Sequence, residues 1–453
     1  MGGTTMTPDR LRDGLAGVTK RAGLGPPGEP RRLTGGATME SWRFSAGGED
    51  FVLRRAPSLE FMEGRPFGHD SEAAIIEAAR KAGATAPEVV ASLEPADGLG
   101  SGFIMRALPG TPDPRAILAM DTPDLLLADV ARDLARIHGL KREELPGDVP
   151  EMDYAEGVAG LRQQFEEAGA DRPIIALGLK WLEDNLPERV EPVLNHGDYR
   201  LGNILAEDGR LTGVLDWELA HFGDRHEDIA FGCMTVWRFA RIDRPALGLG
   251  SLEDYFSAYE AESGVAVDRD RFRFWLVYRT VWWALGCIRM ADFWRRGEDR
   301  MLERVVISRR TSENELDLLL LLDDDLHPGI VDKERIPAGE IDRGEANTAE
   351  IAEAISEWLA TIKDKMEGHD RFQLAVARNA LGMISREHRI LPRSTDRELA
   401  DDFLSGRRQM GSDPAIARLR RDALDKLEAD VPKYPALAVA RKKWAKEEIK
   451  AED

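Results

Sequence analysis

The chain has 453 residues, 43% of them hydrophobic, which is enough apolar material for two or three compact units with buried cores. Its formal net charge of -20 argues against a nucleic-acid-binding protein, because phosphate contacts require a basic surface. The two cysteines, Cys233 and Cys287, form no metal-binding or disulfide pattern, and we expect both to be buried. The longest aliphatic run, Leu318 to Leu322, is too short to cross a bilayer, so the sequence predicts a cytoplasmic protein without membrane contact.

The first part of the chain, residues 1–110, has the pattern of a small sheet that carries one helix. A leading helix is predicted from Thr7 to Arg21, because apolar residues recur there at helical spacing. Strands with period-2 alternation, a helix and two further strands follow, at residues 31–46, 49–56, 71–83, 86–95 and 102–110. The first two strands are joined by Gly47 and Gly48, which predicts a hairpin.

Helical patterns dominate the second part, residues 111–326. The predicted helical stretches are 116–139, 157–169, 174–186 and 228–325. A segment rich in charge and turn formers, residues 327–346, reads as a linker. Beyond it, residues 347–453 contain three amphipathic helices, at 349–366, 369–388 and 415–431, which we expect to surround a small separate core.

One non-helical stretch interrupts the second part, "LNHGDYRLGNIL" at residues 194–205, followed by "AEDGRLTGVLDWE". The pair Asp208-Gly209 between two apolar runs predicts a β-hairpin with a two-residue turn. Counting from that turn places Asn203 opposite Val214 and Asp216 opposite Leu201. Asn203 and Asp216 should therefore meet at the open end of the hairpin.

Asp198 lies just upstream of Asn203, in the loop that enters the first strand, within reach of Asn203 and Asp216. Two carboxylates and an amide oxygen suit Mg²⁺, which prefers oxygen ligands. The arrangement matches phosphoryl transfer, with Asp198 as the base that accepts the hydroxyl proton and Asn203 and Asp216 as the metal ligands. In the alternative interpretation, Asp198 makes an Asx turn and Asp216 caps a helix.

These motifs carry a family resemblance. "HGDYRLGNIL" followed by "GVLDWE" resembles the catalytic and metal motifs of the aminoglycoside phosphotransferase and choline kinase-like family. "FVLRRAP" and "VLDWELAHFGD" are similar to the branch associated with acyl-CoA dehydrogenases. The resemblance covers residues 33–322 and implies an α+β, bilobal protein-kinase-like fold, with a β-rich N-lobe, a helical C-lobe and ATP bound between them. The residues after the linker would then form an additional all-α domain.

The resemblance also assigns nucleotide-binding roles. Arg54 in "FVLRR" stands where most kinases have a phosphate-binding Lys, and Glu72 would be its helix partner. Arg54 can bind phosphate through two nitrogens, although its geometry differs from that of Lys. Arg55 and Glu77 are the alternatives on the same strand and helix.

Further positions in the resembled fold contact the nucleotide or support the catalytic loop. Gly35 and Gly36 in "LTGGATMES" correspond to the turn that covers the phosphates, and Met105 would begin the hinge beside the adenine. His196 would brace the catalytic loop, and Asp228 would be a buried acceptor that fixes the loop backbone.

The segment that supplies the acceptor pocket in the resembled family is rich in aromatic residues. We expect Trp275, Tyr278, Trp282, Trp283 and Trp294 to be mainly a core stripe, with some of them beside a hydrophobic substrate. The same segment carries two cations that could meet an anionic acceptor, Arg279 and Arg289.

The sequence therefore predicts a Mg²⁺- and ATP-dependent phosphotransferase acting on the hydroxyl of a small molecule, with a hydroxyacyl-CoA as the acceptor suggested by the branch resemblance. The alternatives are a pseudokinase or nucleotide-binding scaffold, motivated by the Arg at position 54, and an aminoglycoside- or choline-type kinase. GTP in place of ATP, the acceptor and the oligomeric state stay open. The C-terminal unit resembles an uncharacterised helical appendage, and it could bind a protein partner or a second copy.

Overall fold

The computed structural model describes residues 8–33, 39–56, 59, 62–328 and 346–445. None of the helices within these ranges has the length and hydrophobicity that a membrane span requires. Cys233 and Cys287 are both free and buried, as expected.

The N-lobe is a five-stranded antiparallel sheet with one helix on each face. The strand order is β1-β2-β3-β5-β4. The elements are α1 (Pro8–Arg21), β1 (Arg31–Arg32), β2 (Glu40–Ala46), β3 (Glu49–Arg55), α2 (His69–Lys81), β4 (Val89–Ser92) and β5 (Gly102–Arg106). This order confirms the sequence prediction for the lobe, except that the segment predicted as one strand at 31–46 contributes two strands, β1 and β2.

Alternation along β2 and β3 decides which face each helix covers. Phe44 and Leu53 point to one face and form a core with Leu11 and Leu15 of α1. Phe103 of β5 belongs instead to the larger core, which includes the apolar residues of α2. The chain reverses direction at the β2–β3 turn through Gly47 and Gly48, whose φ angles of 61° and 88° favour glycine.

The C-lobe is mainly helical. Its helices are α3 (Pro114–Leu118), α4 (Pro123–His138), α5 (Tyr154–Glu167), α6 (Pro173–Asp184), α7 (Arg225–Phe231), α8 (Leu252–Ser263), α9 (Arg269–Arg295), α10 (Leu302–Ser308) and α11 (Thr311–Leu321). Its strands are β6 (Val193–Asn195), β7 (Ile204–Glu207), β8 (Arg210–Val214) and β9 (His221–Gly223). The single helix predicted at 116–139 is two helices, because Pro123 starts a new one after Thr122.

The β7–β8 hairpin confirms the predicted turn and corrects the predicted register. Glu207 pairs with Arg210 across the turn, as counted, but Ile204 rather than Asn203 faces Val214. The reason is a bulge beyond Ala206, where the register shifts by one residue. Leu215 N–H then donates to the Asn203 carbonyl at 2.8 Å, so Asp216 follows directly after the end of the ladder.

A second small sheet was not predicted from the sequence. Strands β6 and β9 pair antiparallel, with Asn195 opposite His221. They are only three residues long and fully or mostly buried, so they show no alternation that would reveal them. The pairing matters because β6 leads into the loop with Asp198 and β9 follows the segment with Asp216.

The C-terminal residues 346–445 contain five helices rather than the three predicted. They are α12 (Thr348–Thr361), α13 (Gly368–Ile390), α14 (Arg397–Leu404), α15 (Ala415–Asp430) and α16 (Pro435–Trp444). The expected separate core is also not found, because Phe403, Leu427 and Trp444 belong to the same buried cluster as Leu316 and Leu319 of α11. α14, α15 and α16 therefore extend the C-lobe core, whereas the buried residues of α12 and α13 lie outside that cluster. The predicted linker lies mostly outside the described residues, and the proposed domain limits stay a prediction.

Candidate active site

The loop that contains Asp198 joins β6 to β7 and depends on a glycine. Gly197 has a φ of 85°, and a side chain there would place its first carbon 2.3 Å from the Leu219 carbonyl oxygen. Only glycine combines this left-handed backbone with so close an approach. The His-Gly-Asp sequence thus packs directly against the segment that follows Asp216.

Asp198 is held by two side chains of its own loop. Arg200 donates from Nε to Oδ1 at 2.7 Å and from Nη2 to Oδ2 at 3.2 Å, which is a bidentate contact. Asn203 Nδ2 donates to Oδ2 at 2.5 Å. Burial raises the pKa of Asp198 above its usual range, and Arg200 opposes that shift. The guanidinium of Arg200 thus stabilises the ionised form of the Asp198 carboxylate.

His196 connects the two halves of the site. Its Nδ1 accepts from the Asp198 backbone N–H at 3.2 Å, so Nε2 carries the proton and donates to the Leu215 carbonyl at 3.1 Å. The ring is buried against Trp217, with 4.7 Å between ring centroids. Burial lowers the pKa of His196, which fits a neutral ring that braces the loop. The prediction of a structural role is confirmed.

Asp228 of α7 fixes the backbone of the same loop, as predicted. Its carboxylate accepts from His196 N–H at 2.5 Å and from Gly197 N–H at 2.8 Å. Burial alone would raise the pKa of Asp228, but hydrogen bonds from His138 and Gly197 lower it to about 2. Asp228 is therefore a buried anion that accepts backbone donors.

Arg54 lies between the lobes and bridges three carboxylates. Its Nε is 2.9 Å from Glu72 Oε1, and its Nη2 is 2.7 Å from Asp216 Oδ1 and 3.1 Å from Glu218 Oε2. The structure thus brings Arg54 and Glu72 together. Arg55 contacts the Leu99 carbonyl and Glu40 instead, on the other face of the strand.

The pKa values of Arg54 and Glu72 are both raised, for different reasons. Burial opposes the charge of Arg54, yet Glu72, Asp216 and Glu218 together raise its pKa. Burial also raises the pKa of Glu72 to about 7, although Arg54 lowers it. Arg65 contacts Glu218 at 3.1 Å, so three acids surround two guanidinium groups. When Glu72 is ionised, one negative charge is left over, which favours an additional cation; protonation of Glu72 removes that surplus.

Asn203 and Asp216 offer the oxygen atoms for such a cation. The Asn203 amide nitrogen is used by the Asp198 carbonyl and carboxylate, which leaves its amide oxygen for a ligand. Asp216 is one-third exposed and has a φ of 70°, an unusual backbone that turns its side chain from the ladder. The donor set fits Mg²⁺, which takes few protein oxygens and keeps water or phosphate as the rest. No group of three or more His, Cys, Asp or Glu suited to a metal exists in the described part of the chain.

The remaining predicted nucleotide contacts are less constrained. Gly35 and Gly36 lie outside the described residues. Met105 is half-buried near the end of β5, opposite Val52 and Val89 in the sheet. The chain then crosses to the C-lobe, where Thr111 exchanges two backbone hydrogen bonds with Ala206. Met105 therefore lies just before the connection between the lobes, where a hinge is expected.

Sequence reasoning missed two contributors. Arg200 was inside the quoted motif, but nothing in its spacing indicated a bidentate contact to Asp198; its guanidinium also lies 4.2 Å from the Trp237 ring centre. Glu218 was part of the "DWE" motif, and its acidic character two residues after Asp216 was the available signal. Its contact with Arg54 could not be read from the sequence.

The aromatic segment of α9 is only partly core. Trp275 and Tyr278 are buried, whereas Trp282 and Trp283 are half-buried. Tyr278 and Trp282 line an open cavity of about 450 Å³ that also includes Leu219. Since Leu219 packs against Gly197, this cavity adjoins the loop of Asp198.

Comparison with known proteins connects this arrangement to phosphotransferases. Mouse acyl-CoA dehydrogenase family member 10 is 26% identical over 291 residues, covering 60% of this chain and 27% of that protein. Chicken acyl-CoA dehydrogenase family member 11 is 28% identical, over 51% of this chain and 31% of that protein. The chain thus spans less than a third of these two relatives. The aminoglycoside 3'-phosphotransferase of Streptomyces fradiae is 28% identical, over 54% of this chain and 87% of that enzyme.

The fold is shared with solved phosphotransferase-like structures. A provisionally assigned aminoglycoside phosphotransferase from Ralstonia eutropha JMP134 superposes with a TM-score of 0.56 at 18% identity, covering 69% of this chain and 98% of that one. Residues 29–275, more than half of the chain, match the phosphotransferase enzyme family, APH. The chain therefore belongs to the APH phosphotransferase family and has its bilobal, protein-kinase-like fold, with further helices at the C-terminus.

Proposed function

We propose that the protein is an ATP- and Mg²⁺-dependent phosphotransferase that phosphorylates a hydroxyl group of a small molecule. The observation that carries this proposal is a site in which the Asp198–Asn203 contact adjoins the Asp216–Arg54 contact, one residue beyond the backbone hydrogen bond from Leu215 to Asn203. Side chains from both lobes meet in it, and each type of group that phosphoryl transfer requires is present. Family membership supports the same reaction class.

In this mechanism, Asp198 orients the acceptor hydroxyl and accepts its proton at a carboxylate oxygen. The acceptor oxygen bonds to the γ-phosphorus of ATP as the bond from that phosphorus to the bridging oxygen breaks, and ADP leaves. Arg200 keeps the buried carboxylate ionised. Arg54 binds the nucleotide phosphates, and Glu72 positions Arg54. Because little covalent chemistry is left to the protein, positioning and charge stabilisation supply the rate.

Asn203 and Asp216 would hold Mg²⁺ through their side-chain oxygens. The ion, when bound, neutralises the phosphate charge and orients the phosphates. Arg54 donates a hydrogen bond to one Asp216 oxygen in the structure. With the nucleotide bound, Arg54 would contact both Asp216 and a phosphate.

For the acceptor, the relatives named acyl-CoA dehydrogenase family members favour a hydroxyacyl-CoA. The Streptomyces fradiae enzyme is named for aminoglycosides, so aminoglycosides are the competing acceptor class. A half-buried Trp282 and a buried Tyr278 beside the cavity favour an acceptor with an apolar part.

The test is acceptor-dependent ADP release from Mg·ATP across hydroxyacyl-CoAs, free hydroxy acids, choline-like alcohols and aminoglycosides. We expect turnover with one class and its loss in Asp198→Asn, with nucleotide affinity retained. Turnover that persists in Asp198→Asn would disprove the assigned base. Turnover with aminoglycosides alone would replace the acyl-CoA acceptor.

A regulatory nucleotide-binding protein is the second candidate. It is favoured by the position of Arg54 in place of Lys, together with the contact that ties Arg54 to Asp216. ATP binding without acceptor-dependent ADP release across the panel would support this alternative. Retention of Asp198, Asn203 and Asp216 argues for catalysis, since a binding-only protein needs no base.

A further inference from the structure

The cavity beside the catalytic loop has a buried guanidinium in its wall. Its volume of about 450 Å³ falls within the usual range for small-molecule sites. Pro66 of the N-lobe and Leu219, Tyr278, Arg279 and Trp282 of the C-lobe line it. A ligand there would lie between the lobes, next to the segment that packs on Gly197.

Arg279 is only 5% exposed, yet it is incompletely paired. Its guanidinium carbon lies 4.9 Å from the Phe231 ring centre and 5.0 Å from that of Trp282, so two aromatic faces hold it. Nη2 is 2.7 Å from Glu227 Oε1. Nε is buried without a hydrogen-bond partner among the described residues. A buried guanidinium with five N–H donors normally has more acceptors than one carboxylate oxygen.

The carboxylate of Glu227 is shared between Arg279 and other donors. Its other oxygen, Oε2, is 3.0 Å from His221 Nε2 and 3.5 Å from Asn195 Nδ2. His221 also lines the cavity. The single carboxylate of Glu227 therefore contacts both an arginine and a histidine. This wall of the cavity has one acidic group for two basic groups.

The acidic residues at the cavity entrance are mostly neutralised. Glu151 contacts Arg142 and Arg189, and Asp153 also contacts Arg189. Glu156, the remaining acid of the lining, is exposed to solvent, where its field is screened. The entrance therefore does not provide the buried acidic surface that a polycation would need.

We propose that this cavity binds the acceptor through an anionic oxygen group, carboxylate or phosphate, held by Arg279, with the apolar part of the acceptor against Tyr278 and Trp282. The inference rests on the proposed phosphotransferase function and names the class of its acceptor. It assigns Arg279 as a specificity-determining residue that disfavours polycationic acceptors.

The test is calorimetric binding to the full chain, which needs no turnover. The probes are 6-hydroxyhexanoate for a carboxylate, coenzyme A for phosphate groups, 6-hydroxyhexanamide as the uncharged match and kanamycin as a polycation. Each is measured with wild type, Arg279→Gln, Arg279→Lys and Arg289→Gln. Arg289 is the matched control because it lies on the same helix, is exposed and packs on Phe293, outside the cavity lining.

We expect at least one anion to bind about tenfold or more tightly than the amide, as a charge-assisted hydrogen bond allows. Arg279→Gln should remove that preference, Arg279→Lys should keep part of it, and Arg289→Gln should leave it unchanged. Which anion binds identifies carboxylate or phosphate as the recognised group. If Arg279→Gln does not fold, the wild-type preference and the Lys variant decide the question.

Equal affinity for the amide and both anions, preference for kanamycin, or no binding of either anion at millimolar concentration would overturn the inference. An anion preference that survives in folded Arg279→Gln would do so as well. These results are separate from the test of phosphoryl transfer, because anion binding and ADP release are measured independently.

Discussion

At the scale of single residues, the site is a set of carboxylates whose charges are controlled by arginine. Arg200 pairs with Asp198, and Arg54 pairs with Glu72 and Asp216. Arg54, Glu72 and Asp198 are largely buried, so the loss of a partner leaves an uncompensated charge in a medium of low dielectric constant. This makes the arginines as informative to mutate as the acids.

Arg200→Gln should move the acid limb of the pH–activity profile to higher pH. Asp198 must be ionised to accept a proton, so activity falls as pH drops through its pKa. Burial already raises that pKa, and Arg200 lowers it. Loss of Arg200 removes this opposing charge, so the pKa of Asp198, and with it the acid limb of the kcat/KM profile, should rise. Arg210→Gln, which removes an exposed contact to Asp129, is the control. An unmoved limb in a folded Arg200→Gln protein would contradict this role.

Arg54→Gln should weaken nucleotide use while leaving the acceptor site intact. We expect kcat/KM for ATP to fall by roughly tenfold to a hundredfold, as for loss of charged hydrogen bonds worth about 1.5–3 kcal/mol. Steady-state kinetics with varied ATP measure this change. Arg43→Gln removes an exposed arginine of β2 and should behave as wild type. Equal ATP kinetics in Arg54→Gln and Arg43→Gln would rule out phosphate binding by Arg54.

At the scale of elements, two short strands and one tight loop align the catalytic groups. β6 and β9 pair so that the chain enters the Asp198 loop and leaves the Asp216 segment side by side. The glycine before Asp198 permits the closest contact between these two segments. The alignment therefore depends on backbone geometry as well as on the catalytic side chains.

Gly197→Ala should destabilise the protein by about 3 kcal/mol or more, because it combines a disfavoured φ with a clash against backbone. Urea unfolding measures the free energy of unfolding. Gly160→Ala is the matched control, since it lies inside α5 with open space around the added carbon, and it should be neutral or slightly stabilising. Similar stability of the two variants would show that the loop can relax.

The sequence predicted the strands and turns of the site only where a local signal existed. The Asp208-Gly209 turn fixed the hairpin, because few residue pairs adopt its backbone, with φ angles of 49° and 73°. The bulge that shifted the register has no such signal, and neither do the three-residue strands. The predicted proximity of Asn203 to Asp198 is confirmed although the predicted register was wrong. A shift of one residue still leaves Asn203 at the open end of the hairpin.

At the scale of the whole molecule, three C-terminal helices, α14, α15 and α16, extend the C-lobe core. α14 packs on α6, and α15 and α16 pack on α11. Amphipathic periodicity predicted three of the helices, but it could not show what their apolar faces contact. The linker in the sequence led us to expect a separate core for these helices. The structure instead shows α14, α15 and α16 sharing one core with α11. Removal of residues 347–453 would expose apolar surface on α6 and α11.

Tyr434→Phe tests whether this packing contributes to stability. The Tyr434 hydroxyl donates to Asp317 of α11 at 2.6 Å. Burial raises the pKa of Asp317 to about 7, and Tyr434 lowers it. A raised pKa favours folding at low pH, and that contribution is lost as pH rises from 3.8 toward 7. Without the hydroxyl, the ionised Asp317 loses the Tyr434 donor and is left with Thr235 and the charge of Arg238, so the loss should be about 1–3 kcal/mol at pH 8 and smaller at pH 5.

Urea unfolding at both pH values measures this difference, with Val439→Ala as the control because Val439 is exposed on α16. An equal loss at pH 5 and pH 8 would show that the Tyr434 hydroxyl does not act through the charge of Asp317. No loss at either pH would show that the contact adds nothing to the stability of the shared core.

The most direct measurement of phosphoryl transfer follows the label of γ-³²P-ATP into the acceptor, in wild type and in Asp198→Asn, alongside nucleotide affinity. We expect the labelled phosphate ester to form in wild type and to fall by at least about a thousandfold in Asp198→Asn, with ATP affinity unchanged. Ester formation that persists in Asp198→Asn would contradict Asp198 as the base. Label that appears only as inorganic phosphate with every acceptor would contradict the small-molecule kinase itself.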